Sequence, residues 1–346
     1  MTALKSLYRM LLLVLAFFCL KNSYAQGKKN TNKIENLVFE GGGVRGIAYA
    51  GVLKALEEKK ILEEVKRVGG TSAGAITALM VSIGYSAAEF KAIIDSTDFS
   101  EFNDGKHMFV GGTKRLVKQY GWYKGEAFLD WLGKLIKRKC GNENITFSQL
   151  KEKGFKELKI TGTCLNKQKL IVFSNENYPN MPIKNAVRIS MAIPYYFGAV
   201  FTDSSGKIYD QNIDSLKLDV MVDGGVLANY PFFLFDEYND HWSEKSRLAN
   251  PATLGFMIEE ESQLARDSTD HQLAEWSIEN VMDFSSSIYN VILGNMTRNT
   301  MTEDDWKRTV VISSKSVGPK VRKLSKKEKQ MLISSGYKST LSHLEN

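Results

Sequence analysis

Short apolar runs alternate along this chain with longer amphipathic ones, and several of the short runs stop at glycine. Asn36-Leu37-Val38-Phe39-Glu40 reads as a buried strand that enters Gly41-Gly42-Gly43-Val44-Arg45-Gly46, after which helical spacing runs from Ile47 to Lys59. The stretch Val65 to Val68 leads into Gly70-Thr71-Ser72-Ala73-Gly74 and then into the small-residue apolar run Ala75 to Ile83. That order predicts a strand, a tight turn bearing a serine, and a helix. Leu218 to Val222 predicts another strand, ending at Asp223-Gly224-Gly225, where a carboxylate is followed by residues able to adopt positive φ. Three glycine-rich strand ends in this arrangement predict an α/β fold.

The serine turn carries the chemistry. Glycines on both sides of Ser72 permit a strained elbow that exposes the hydroxyl at the end of a sheet, beside a helix N-terminus. Two other readings compete for the glycines at 41–46. They also fit G-x-G-x-x-G after a strand, with Glu63 and Glu64 at a distance suited to a dinucleotide ribose, but that reading leaves Ser72 and Asp223 unexplained. A phosphate-binding P-loop fails because no Gly-Lys-Ser/Thr follows. A Ser-acid-His hydrolase needs a histidine after the acid. His241 and His343 satisfy the order, His107 precedes the acid, and His271 lies in a charged helical stretch. A non-catalytic lipid-binding protein on a hydrolase scaffold is a further alternative, because fold does not prove activity.

The loop Gly41 to Gly46, the Ser72 elbow and the Asp223-Gly224-Gly225 triplet, in this order, resemble the patatin-like phospholipases, a family of lipid acyl hydrolases. The resemblance extends over about Asn36 to Phe233. It includes Tyr123-Lys124-Gly125-Glu126, the strand Leu158 to Leu165, and the segment Val187 to Pro194, and it weakens from Pro251. It implies a three-layer α/β/α fold around a mixed, mainly parallel sheet. It also implies a Ser72-Asp223 dyad: Ser72 attacks the acyl carbon and Asp223, in place of a histidine, moves the proton. An aspartate with an ordinary pKa of about 3.9 is a weak base, so desolvation by neighbours such as Val220, Met221 and Val222 is expected to raise its proton affinity. Gly41, Gly42, Gly43, Val44 and Arg45 form the expected oxyanion loop, with the backbone N–H groups of Gly42, Gly43 and Val44 as candidate donors and Arg45 as its organiser or simply a surface arginine. The implied substrate is a phospholipid or another lipid ester, and neither cofactor nor metal is implied.

Composition adds compartment and partners. With 346 residues, 43% of them hydrophobic, the chain can bury a large core. Lys5 and Arg9, the apolar run Met10 to Leu20, and Ser23-Tyr24-Ala25 read as a cleavable signal peptide at 1–25, which predicts export to the periplasm or the extracellular space. A polar N-terminus at 26–35 precedes the expected catalytic core at 36–250, and 251–346 is expected to pack on the same domain as a helical and strand addition. Loss of Lys5, Arg9 and Lys21 lowers the formal charge from +7 to +4. The basic run Lys315 to Lys329 is either a solvated helix face or a transient contact with anionic lipid; no nucleic-acid motif accompanies it. Cys140, in an expected basic loop, and Cys164, in a strand, read as separate thiols. Tyr195, Tyr196 and Phe197, after helix-ending Pro194, either line an acyl slot or pack in the core, and Phe99 to Tyr123 suits a movable cover.

Overall fold

The computed structural model describes residues 33–105, 110–213, 215–238, 247–267 and 296–345, with short stretches between 269 and 294. The signal-peptide reading of 1–25, and His107, His241 and His271, fall outside the described residues.

Apolar runs become strands where the sequence pattern places them. The first half of the chain gives β1 (Asn36–Phe39), α1 (Tyr49–Glu58), β2 (Arg67–Gly70), α2 (Ala73–Ser82) and α3 (Ala87–Ser96). Then come α4 (Val110–Gln119), β3 (Gly121–Tyr123), α5 (Glu126–Cys140), β4 (Glu157–Cys164) and β5 (Lys169–Phe173). The remainder gives α6 (Ile183–Ser190), β6 (Tyr195–Phe197), β7 (Val200–Thr202), β8 (Ile208–Tyr209), β9 (Asp219–Asp223), β10 (Thr253–Glu259), β11 (Thr309–Ser313) and α7 (Lys326–Glu345). The helix expected from Ile47 begins instead as a 3-10 turn, Gly43–Ala48.

The sheet runs β11-β10-β1-β2-β4-β9-β7-β8, with β5 also paired to β4. From β11 to β4 the pairs are parallel, and those of β5, β9, β7 and β8 are antiparallel. Helices lie on both sides of this mixed, mainly parallel sheet, the arrangement that makes its strands unbroken apolar runs. Helix α2 is buried along nearly its whole circumference, which explains why its sequence lacks a polar face. Phe39 and Phe256, on adjacent strands, are fully buried and stack with centroids 5.2 Å apart. Truncating either to alanine should destabilise the fold by about 3–5 kcal/mol.

The segment after 250 contributes strands to the central sheet. Its strand β10 pairs directly with β1, β11 follows, and α7 packs on α1 and β11, so one unit spans Ile34–Asn346. Cys140 ends helix α5 and is buried instead of lying in a basic loop; Cys164 is buried too, and both are free thiols. The basic run is not a single helix face. Lys315 pairs with Glu261, Arg322 with Glu328 and Lys323 with Asp98, while Lys329 is buried and donates to the carbonyls of Ile94, Asp95 and Thr97. Only from Lys326 is the run helical.

Candidate active site

Register explains how residues 72 and 223 meet. Strand β2 runs parallel to β4 and stops with Gly70 opposite Ile160. Strand β9 runs antiparallel to β4 and stops with Asp223 opposite Gly162. Because β5 occupies the other edge of β4 along Ile160 to Cys164, β2 and β9 share one edge and meet end to end. Their last paired residues face positions two apart on β4, roughly 7 Å at strand spacing. Thr71, in the gap, shares a 2.6 Å hydrogen bond between its hydroxyl and that of Thr161, and its Oγ1 also lies 2.8 Å from the Ala228 carbonyl.

Ser72 stands at the break between β2 and α2 with φ 53° and ψ −121°. Positive φ in a non-glycine residue costs on the order of 1–3 kcal/mol and persists only where the surroundings hold it. Here the Ser72 N–H donates to Ser190 Oγ at 2.9 Å. The hydroxyl donates to Met191 Sδ at 3.5 Å and lies near enough to the Asp223 carboxyl to oppose, less than the Gly225 N–H does, the rise that burial imposes on that group's pKa. The neighbouring Ala192 carbonyl accepts from Asp223 N–H at 2.9 Å. Thus the end of α6 and the residues that follow brace both strand ends, a role that no local pattern in the chain signals.

Burial dominates the electrostatics of Asp223. It pushes the pKa from 3.8 up to about 7, against the opposing pull of the Gly225 N–H, which donates to Oδ1 at 2.7 Å, and of the Ser72 hydroxyl. Strand alternation puts Met221 on the same face as Asp223, and Val220 and Val222 on the other.

The five-residue oxyanion loop narrows to two open donors. Gly41 N–H is engaged by the Asn229 carbonyl at 3.0 Å, Val44 N–H by the Pro319 carbonyl at 3.2 Å, and Arg45 N–H by the Gly42 carbonyl at 3.1 Å. The Val44 N–H, an expected donor, is thus engaged by the chain itself, as are those of Gly41 and Arg45. Among the described residues nothing accepts from Gly42 N–H or Gly43 N–H, nor from Ala73 N–H at the head of α2, which the motif reading overlooked. Arg45 turns back on the loop, its Nε donating to the Gly42 carbonyl at 3.3 Å. The loop packs on the elbow: a methyl added to Gly41 would come within 3.2 Å of Ser72 Cβ and 2.4 Å of Asn229 Oδ1, which is why only glycine fits.

Other candidates fall elsewhere. Glu63 and Glu64 are exposed on the short helix Ile61–Glu64. His343 lies on α7 beside Val310 and Val311 of β11, at the opposite edge of the sheet from β9, and its burial lowers its pKa. Phe197 is core, Tyr196 is tethered through its hydroxyl to Asn103 Oδ1 at 2.6 Å, and Tyr195 is 77% exposed. Within the expected cover, Phe102 packs on Phe128 and Trp131, and residues 106–109 lie outside the described ones. No group of metal-ligating residues occurs among the described residues.

A serine elbow facing a buried carboxyl beside open glycine amides, on such a sheet, defines a class of acyl hydrolase. The model of the patatin-like phospholipases matches residues 37–236, more than half of the chain, and the chain belongs to that family. The uncharacterized protein YqhO of Bacillus subtilis is 35% identical over 215 residues, 58% of this chain and 66% of its own. The probable lipid hydrolase 463L of Invertebrate iridescent virus 6 is 27% identical over 212 residues, 61% of this chain and 66% of its own. The chain thus spans just under two thirds of the length of these curated relatives. The crystal structure of VipD from Legionella pneumophila is similar in fold, with a TM-score of 0.55 at 17% identity over 90% of this chain and 67% of that one.

Proposed function

We propose that this protein is an exported serine lipid acyl hydrolase that cleaves fatty-acyl esters of phospholipids or lysophospholipids through a Ser72-Asp223 dyad. The observation that carries this reading is the end-to-end meeting of β2 and β9 on one edge of β4, which sets the hydroxyl against a carboxyl whose pKa is pushed up to about 7. Asp223 accepts the Ser72 proton as Oγ attacks the acyl carbon. The tetrahedral oxyanion then takes hydrogen bonds from Gly42 and Gly43 N–H, and collapse expels the alcohol, which takes the proton back from Asp223. Water, deprotonated by Asp223, next attacks the acyl-enzyme and releases the fatty acid. A base with pKa near the working pH is what such a two-way proton transfer needs.

Mass-spectrometric product analysis on mixed phospholipids tests the reading. Free fatty acid from the wild type and none from Ser72→Ala is expected, together with fluorophosphonate labelling that Ser72→Ala abolishes. Labelling that persists in that variant overturns the assignment. The proposed export has its own test: the secreted or periplasmic protein should begin at Gln26 on N-terminal sequencing.

A further inference from the structure

Gly42 N–H is useful to an oxyanion only if its peptide is held in one orientation, and a Gly-Gly link offers little resistance to rotation. The described peptides are all trans, so the Gly41 carbonyl and the Gly42 N–H point in opposite directions. Whatever holds that carbonyl therefore aims that N–H. Its holder is Asn229, whose Nδ2 donates to Gly41 O at 3.2 Å and to Glu40 Oε1 at 3.0 Å. Glu40 is buried, and its other oxygen accepts from Ile258 N–H of β10 at 2.8 Å. The Tyr49 hydroxyl fixes the Glu40 carbonyl at 2.7 Å.

Resting on the acyl-hydrolase reading and going beyond it, we propose that Asn229, anchored by Glu40, is a positioning residue that aims the Gly42 N–H at the oxyanion. Asn229 closes the short helix Gly225–Ala228 that follows Asp223. One connection thus delivers the carboxyl to Ser72 at its start and the clamp to the oxyanion loop at its end. Thr71, the residue before the nucleophile, holds the same connection through the Ala228 carbonyl. Movement of this connection would shift base and oxyanion donor together.

Asn229→Asp removes the N–H donors and sets a carboxylate against Glu40 and the Gly41 carbonyl. Its kcat on a p-nitrophenyl ester should fall on the order of 10²-fold, the scale of one lost oxyanion donor, with KM nearly unchanged. The double variant Glu40→Gln/Asn229→Asp restores the pairing with donor and acceptor exchanged: the amide introduced at position 40 accepts from Ile258 N–H and donates to the carboxylate introduced at position 229. It should recover the thermal midpoint but not kcat, because that carboxylate still has nothing to donate to Gly41 O. A merely structural pair would recover both. The second readout needs no substrate: ¹⁵N relaxation dispersion of the Gly42 amide should be quiet in the wild type and show exchange in Asn229→Asp and in the double variant. Wild-type kcat in Asn229→Asp, full kcat in the double variant, or an equally quiet Gly42 amide in all three would overturn the clamp. Absent Ser72 labelling in the wild type would instead overturn the hydrolase reading and leave the relaxation test of the clamp standing.

Discussion

Two strand-glycine-helix junctions sit side by side in this protein, and they solve opposite problems. At the end of β2 the backbone is strained so that one side chain projects: Ser72 takes φ 53° and is braced by Ser190. At the end of β1 side chains are absent, and the carbonyls are held so that N–H groups project; Asn229 holds Gly41 O and Arg45 holds Gly42 O. Both junctions depend on positions far away in sequence: the first on Ser190, Thr161 and Ala228, the second on Asn229, Ile258 and Pro319. Similar sequence punctuation therefore yields a nucleophile in one place and a polar cradle in the other.

The sharpest way to break this contrast is to remove the projecting groups themselves. Ser72→Ala should abolish ester turnover, a loss on the order of 10⁶-fold in kcat by analogy with serine hydrolases, while leaving the thermal midpoint nearly unchanged. Asp223→Asn removes the base itself, so it should cost nearly as much, on the order of 10⁶-fold, and yet stabilise the fold. The sign follows from linkage. The folded state holds the Asp223 proton up to about pH 7 whereas the unfolded chain releases it near 3.8, so stability contributed by this group falls as pH rises between those values and the penalty is fully present above 7. Removing it should raise stability above pH 7 by on the order of a few kcal/mol and leave it unchanged below pH 3.8. A destabilised Asp223→Asn at pH 8 would contradict the burial account.

The same group sets the pH dependence of turnover. Only ionised Asp223 takes the serine proton, so kcat/KM of the wild type should rise as pH passes upward through about 7 and level off above it. A profile with its rise near pH 4 would mean that the carboxyl is solvated during turnover.

The cradle should give intermediate effects. Gly43 has φ 54°, and a methyl there would meet the Pro319 carbonyl at 2.0 Å. Gly43→Ala must move the loop, and a kcat loss on the order of 10²-fold is expected. Gly84→Ala is its control: φ is similarly positive at 80°, but nothing lies within 4 Å, so a stability loss of about 1 kcal/mol without a change in kcat is expected. Equal kcat losses in both would show that the cradle is not specially placed.

How much of this was legible in sequence depends on range along the chain. The Ser72 elbow, the strand before it and the carboxylate at 223 could be read because local pattern defines a strand end, a turn and a helix start. The convergence of β2 and β9 on one edge of β4 could not, since pairing register is a non-local property. The contacts of Ser190, Met191 and Asn229 were hidden for the same reason, as was the engagement of the Val44 N–H by the Pro319 carbonyl, which lies beyond the recognisable family segment. Burial of Cys140 and the internal pairing of the basic run depend likewise on what folds over them. Strand β10 falls in the segment expected to add helices and strands to the same domain, but its direct pairing with β1 is again a matter of register.

The smallest expected effect belongs to the histidines, and its smallness is informative. A histidine base would make the β2 junction work without a buried aspartate, and the contrast between the two junctions would then lose its electrostatic half. His343 is partly buried on α7, against β11 at the far edge of the sheet, where its lowered pKa reflects burial and no carboxylate partner is among its causes. A catalytic histidine requires an orienting acid on one ring nitrogen and the nucleophile on the other. His343→Ala should therefore leave kcat within about twofold and lower stability by roughly 1 kcal/mol through lost packing. His241→Ala, measured alongside it, should be equally silent. A loss approaching that of Asp223→Asn in either variant, with the fold intact by circular dichroism, would transfer the proton chemistry to imidazole and reduce Asp223 to its orienter.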